Sequence, residues 1–198
     1  MTRSAPDSPF APGPMVLTAM ILLAAFSRLL PLPPNFAPIE AIALFGGAYF
    51  ARRGLAFVVP VLAMLLADLA LGLLRGDTYL AYFTTAGYLP SLLANYLSIL
   101  ATVVLAFGLR GRVNGARVLG YSLAGSVLFF LVSNFAVWLT AFMVPGYPAC
   151  STGLLPCYVA ALPFFKTTLL STLAYSALLF GGFALLRSRL PALRAQTA

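Results

Sequence analysis

The sequence predicts an all-α membrane protein, a polytopic helical bundle of six transmembrane segments. Three observations carry that expectation. The 198 residues are 62% hydrophobic and 8% charged, against roughly 25% charged in an ordinary soluble domain, so lipid must solvate much of the apolar surface. Four long apolar stretches and two shorter ones are separated by brief polar breaks. Arginines collect at every second break, as the positive-inside rule expects of a multi-pass chain.

Residues 1–14 hold four prolines and two serines, the composition of a disordered tail. Segment 15–32 (MVLTAMILLAAFSRLLPL) reads as an uncleaved first span. A signal peptide is the alternative, but only Arg3 precedes the run, prolines crowd the start, and no clear cleavage site follows. Pro33, Pro34 and Pro38 then fix a turn. Segment 39–51 is short for a span and rich in small residues, tolerable in a membrane as a short, broken or tilted helix that neighbours shield. Segment 54–74 is long enough to cross a ~30 Å core, with Pro60 expected to kink it and Asp68 near its far end.

After an aromatic loop, 75–85, come segment 86–109 with Asn95 inside it and segment 118–144 with Asn134 and Trp138. Residues 145–158 read as a structured loop. The last span, 159–186, carries Pro163 and Lys166 near its start. Residues 15–190 thus form one transmembrane domain, and 191–198 a cytoplasmic C-terminal tail.

With a cytoplasmic N-terminus and six spans, nine basic residues lie inside: Arg3, Arg52, Arg53, Arg110, Arg112, Arg117, Arg187, Arg189 and Arg194. Arg28, Arg75 and Lys166 lie at or near the outer side. That bias places both termini in the cytoplasm. The net charge of +8 does not argue for nucleic acid, because the basic residues form no dense patch. The chain has no histidine, and its acids are Asp7, Glu40, Asp68 and Asp77. A histidine base, a Ser/His/Asp triad and a His-rich metal site are excluded. No cofactor is expected, and transport or binding needs less chemistry than catalysis.

The charges that do not set topology point to a site. Arg28, Asn35, Glu40, Asp68, Asn134, Trp138 and Lys166 all fall in the outer ends or halves of their segments. Ionisable groups inside spans usually face a bundle interior or a cavity. Asp68 and Lys166 lie roughly six to eight residues, about 9–12 Å of helix, from their outer ends. They are expected to hold a ligand, or each other, at a pocket floor. A salt bridge that only fixes packing, or a Lys166 that snorkels to the interface, is the plainer alternative. Asn134 and Trp138 share a helix face, although Trp138 also suits an aromatic belt. Glu40 and Arg28 flank the proline turn and are candidates to pair across it or to cap it. Asn35, Tyr79 and Tyr82 are candidate lid residues. Cys150 and Cys157, seven residues apart in an outer loop, suit a disulfide or two unpaired thiols.

Four segments also carry a family resemblance: SRLLPLPPNFAPIEAIALFGGAYF (27–50), LLADLALG (65–72), SNFAVWL (133–139) and GYPACSTGLLPCYVAALPFFKTTLLSTL (146–173). They resemble the substrate-binding (S) components of energy-coupling-factor (ECF) transporters. More closely, they look like an uncharacterised bacterial family of transport-type proteins related to them. The resemblance implies a six-helix bundle in the bacterial cytoplasmic membrane, with an outer pocket for a small metabolite or vitamin-like molecule. It also implies a membrane coupling subunit and two cytoplasmic ATPases as partners. The chain has no Walker A motif, so ATP hydrolysis would fall to those partners. TAMILLAAFSR (18–28) lacks the Ala-x-x-x-Ala docking pair of many S components, so the likeness does not extend to that surface. A membrane structural or assembly protein is the alternative function, and a small membrane enzyme a further one.

Overall fold

The structure is a computed structural model. It describes residues 12–76, 79, 84–143, 147–190 and 193. Five of its helices are long and apolar enough to cross a membrane, and a sixth apolar helix is shorter. We label the helices α1 (Pro12–Phe26), α2 (Ile39–Tyr49), α3 (Arg53–Arg75), α4 (Leu89–Ala106), α5 (Gly115–Thr140), α6 (Pro148–Thr152) and α7 (Leu154–Arg189). Single 3-10 turns extend α1 over Ser27–Leu29 and flank α4 at Ala86–Tyr88 and Phe107–Leu109. Helix α7 passes through a π-helical stretch at Ala177–Gly181.

The short helix is the centre of the bundle. Every residue of α2 from Glu40 to Tyr49 is buried. Eleven residues rise about 16 Å, too little to cross the hydrocarbon alone. The four longer helices α3, α4, α5 and α7 and the first helix α1 surround it, so its backbone never meets lipid. Gly46 and Gly47 make this possible. A Cβ on Gly46 would fall 2.9 Å from Pro60 Cγ of α3, and one on Gly47 2.6 Å from Ala106 Cβ of α4. The glycine pair therefore lets two helices press against opposite sides of α2. Pro60 lies within α3, and its ring fills the notch that Gly46 leaves.

Residue size is sorted as lipid-solvated packing requires. Ala56, Ala63 and Ala67 of α3 face inward, whereas Leu62, Leu66, Leu69 and Leu73 are exposed. Small side chains allow close helix contact, and large apolar ones meet the lipid. Larger side chains also fill the centre: Leu17, Ile21, Ile42 and Leu44 are fully buried, and Phe45 packs edge-on against Phe180 and Phe183 of α7, at 5.4 and 5.6 Å between ring centroids.

The arginine-rich breaks meet at one end. The Arg110 guanidinium donates to the Gly47 and Phe50 carbonyls, at 2.9 and 2.8 Å. These are carbonyls at the α2 C-terminus that the helix itself leaves unpaired. Arg53 and Arg110 both lie over the Phe107 ring, and Arg187 over Tyr49.

Several boundaries differ from expectation. Helix α1 begins at Pro12, inside the expected tail, because proline costs nothing in a first turn. Leu193, in the expected C-terminal tail, is buried against the core. The expected loop 145–158 is partly helical: α6 precedes Gly153, and α7 starts at Leu154. Gly153 has φ of +152°, a backbone angle that favours glycine.

Candidate functional site

A cavity of about 970 Å³ occupies the end of the bundle away from the arginine-rich breaks. Its walls come from the turn after α1, the start of α2, the end of α3, the start of α4, the end of α5, α6 and the start of α7. Every helix after α1 therefore contributes, and α1 does so through the turn that follows it.

Asp68 anchors one wall, and its partner is Arg28. Arg28 Nη1 lies 2.5 Å from Asp68 Oδ1, with the two side chains 17% and 8% exposed. Tyr79 donates to the same oxygen at 2.8 Å, and Tyr96 donates to Oδ2 at 2.7 Å. Arg28 also reaches the Tyr79 hydroxyl at 3.3 Å. Burial first, and then the Asp68 charge, push the Tyr79 phenol up to about 12, so it stays a donor. The carboxylate is thus ion-paired and hydrogen-bonded on both oxygens, as a buried charge must be.

This corrects the expected Asp68–Lys166 pair. Lys166 is exposed and does not line the cavity. Its neighbours Phe165 and Thr168 face inward, and one residue of helix turns the side chain about 100° to the outside. Lys166 lies twelve residues into the 36-residue α7, about 18 Å along it, and its long stem suits snorkelling.

The expected Arg28–Glu40 pair also does not form. Glu40 is 2% exposed at the cavity floor, and its Oε2 accepts from Thr172 of α7 at 3.1 Å. Asn134 lines the cavity, with its amide donating to the Phe130 carbonyl at 2.8 Å. Trp138 does not line it. The indole packs with Ala141 against the Cys150–Cys157 disulfide and lies 5.5 Å from the Phe135 ring. One helical turn separates the two residues, but the cavity-facing row on α5 is Phe130, Ser133, Asn134, Val137 and Thr140, and Trp138 falls beside it.

Asn35 lines the cavity from the proline turn with a φ of +62°, a conformation asparagine tolerates better than most residues. Ser171 of α7 donates to the Ala37 carbonyl at 2.5 Å, which ties that turn to the bundle. Tyr79 reaches the site as described, and Tyr82 lies outside the described residues. Cys150 and Cys157 are disulfide-bonded, joining α6 to the first turn of α7 at the cavity rim.

Sequence reasoning missed Tyr96, Arg75, Tyr88 and Tyr147, all of which line the cavity. The available signal for Tyr96 was a phenol inside an apolar span, where its hydroxyl needs a buried partner. Among the described residues, no cluster of His, Cys, Asp and Glu could hold a metal ion.

A bundle of span-length apolar helices, small residues inside and leucines outside, defines a multi-pass helical membrane protein. The chain belongs to a family of unknown function (DUF6580), whose model matches residues 9–193. Comparisons with curated proteins and with solved structures each give no match.

Proposed function

We propose that this protein captures a small metabolite or vitamin-like molecule from the outer face of the bacterial cytoplasmic membrane, for uptake. The single observation that carries the reading is the ~970 Å³ cavity. Its volume is in the range of small-molecule sites, roughly 300–1,000 Å³. It sits at the end opposite Arg52, Arg53, Arg110, Arg187 and Arg189, which is the outer end if the arginines are cytoplasmic. Both termini are then on the cytoplasmic side.

The cavity wall favours a particular ligand chemistry. The Arg28–Asp68 ion pair places a strong dipole on one side. Asn134 and Asn95 offer amides, and Phe130 and Phe165, with ring centroids 4.9 Å apart, offer flat apolar surface. A zwitterionic or amphipathic, partly planar molecule suits that set better than a polyanion. The reading is of a binding and transport protein, not an enzyme, and no bound cofactor enters it. The likeness to ECF S components suggests a membrane coupling subunit and cytoplasmic ATPases as partners.

Chemical access tests the reading. Both cysteines of the chain are in the disulfide, so a single Ser133→Cys variant introduces one reactive thiol in the cavity wall. A membrane-impermeant maleimide added outside intact cells should label it. Ser122→Cys, at a fully buried position on the same helix, should stay unlabelled. Labelling of Ser133→Cys only after the cytoplasmic side is opened would reverse the orientation and sink the proposal.

A further inference from the structure

Three buried oxygens have no hydrogen-bond partner among the described residues: Glu40 Oε1, Thr102 Oγ1 and Ser126 Oγ. Their residues are 2%, 1% and 0% exposed. They come from three helices, α2, α4 and α5, and of the three residues Glu40 also lines the cavity. A Cβ built on Gly125, the neighbour of Ser126, would lie 3.5 Å from Thr102 Cγ2 and 3.8 Å from Glu40 Cβ. Thus Glu40 and Thr102 both approach α5 where its glycine leaves room.

A fourth helix adds Thr172. Its hydroxyl lies 2.9 Å from the Thr168 carbonyl and 3.1 Å from Glu40 Oε2. A hydroxyl has one proton to donate. That proton is shared between the two acceptors, which leaves the lone pairs of Thr172 Oγ1 without a donor among the described residues. Hydroxyls in a span usually bond back to their own helix, as Ser98 does to Ala94 at 2.7 Å. Thr102, one turn further along α4, does not.

We propose that this cluster is a binding site for a monovalent cation of the size of Na+. Glu40 is the anionic ligand, and the hydroxyls of Thr102, Ser126 and Thr172 are the neutral ones. One cation supplies what each orphaned oxygen lacks, a positive centre to face. Carboxylate and hydroxyl oxygens are hard ligands, suited to such ions and not to soft metals. The charge also balances. Arg28 is engaged by Asp68, and Arg110 lies at the opposite end of α2. A single positive charge neutralises Glu40, whereas a divalent ion would leave a net charge buried. Because Glu40 also lines the cavity, the ion has an entry path from it. The site does not depend on what molecule the cavity binds.

The test is thermal unfolding of the purified protein in detergent, with Na+ exchanged for choline at constant ionic strength. The wild-type Tm should rise with the logarithm of Na+ concentration, as binding to the folded state alone requires. Glu40→Gln, which keeps the shape and removes the charge, should lose that dependence. Thr102→Val and Ser126→Ala should weaken it, and they serve if Glu40→Gln does not fold. Equal Tm in Na+ and choline for the wild type would overturn the proposal. So would a Tm that responds to pH but not to Na+, the signature of a protonated acid. Persistence of the Na+ effect in Glu40→Gln would also overturn it. No organic ligand enters the measurement, so its outcome is separate from that of the cavity reading.

Discussion

Arg28 Nη1 sits 2.5 Å from Asp68 Oδ1 and joins the end of α1 to the interior of α3. Tyr79 and Tyr96 complete the shell of the carboxylate. Removing one member of such a pair strands the other charge, which costs more than the pair contributes. Asp68→Leu should therefore lower stability by about 3 kcal/mol. The double variant Arg28→Met with Asp68→Leu should recover most of the loss. Thermal unfolding in detergent measures both, and a double variant as unstable as the single one would contradict this account.

Arg110 joins the topology signal to the fold. Its guanidinium donates to two carbonyls at the α2 C-terminus. Charge-assisted hydrogen bonds contribute roughly 1.5–3 kcal/mol when partly buried. Arg110→Ala should cost about 2 kcal/mol. Arg110→Lys should restore only part, because an ammonium cannot span both carbonyls as the planar fork does. Full stability in Arg110→Ala would show that water replaces the cap at no cost.

The glycine pair of α2 gives a steric prediction. In Gly47→Ala the new methyl would fall 2.7 Å from the Val103 carbonyl oxygen as well as against Ala106. Backbone cannot yield as a flexible side chain does, so overpacking should cost about 1–3 kcal/mol. Gly120→Ala meets nothing within 4 Å and should be neutral or slightly stabilising. Equal Tm values for the two variants would refute the packing of α2 described above.

The disulfide closes a short loop at the cavity rim. A double Cys150→Ser, Cys157→Ser variant should lose roughly 2–3 kcal/mol, the loop-closure estimate for so short a ring. Maleimide mass-tagging of the denatured wild type should give no adduct until a reductant is added. Two adducts without reductant would show free thiols instead.

Depth was legible in the sequence, but rotation was not. Apolar run length fixed the order of the helices, and the arginine spacing fixed which ends lie together. Residues predicted at one depth, such as Arg28, Asn35, Glu40, Asp68 and Asn134, do gather around one cavity. Their pairings could not be read, because two residues at one depth can sit on opposite faces of their helices. Lys166 matched Asp68 in depth and faces outward, while Arg28, at the very end of α1, reaches back to it. Trp138 failed for the same reason, lying beside the cavity-facing row of α5. The hydroxyls of Thr102, Ser126 and Thr172 carried no periodic signal, since a serine or threonine inside a span most often bonds its own helix. The central place of α2 followed from its small residues only once the neighbours that need those gaps were known.

The most direct test of the central claim is mass spectrometry of small molecules released from the purified protein. Asn134→Leu changes the cavity wall without touching the Arg28–Asp68 bridge, and Lys166→Gln alters a residue outside the cavity. The wild type and Lys166→Gln should retain the same molecule in comparable amount, and Asn134→Leu should retain at least several-fold less at equal folded fraction. No molecule above the detergent background in wild type, or equal retention in wild type and Asn134→Leu together with loss in Lys166→Gln, would contradict the assignment of this cavity as the binding site.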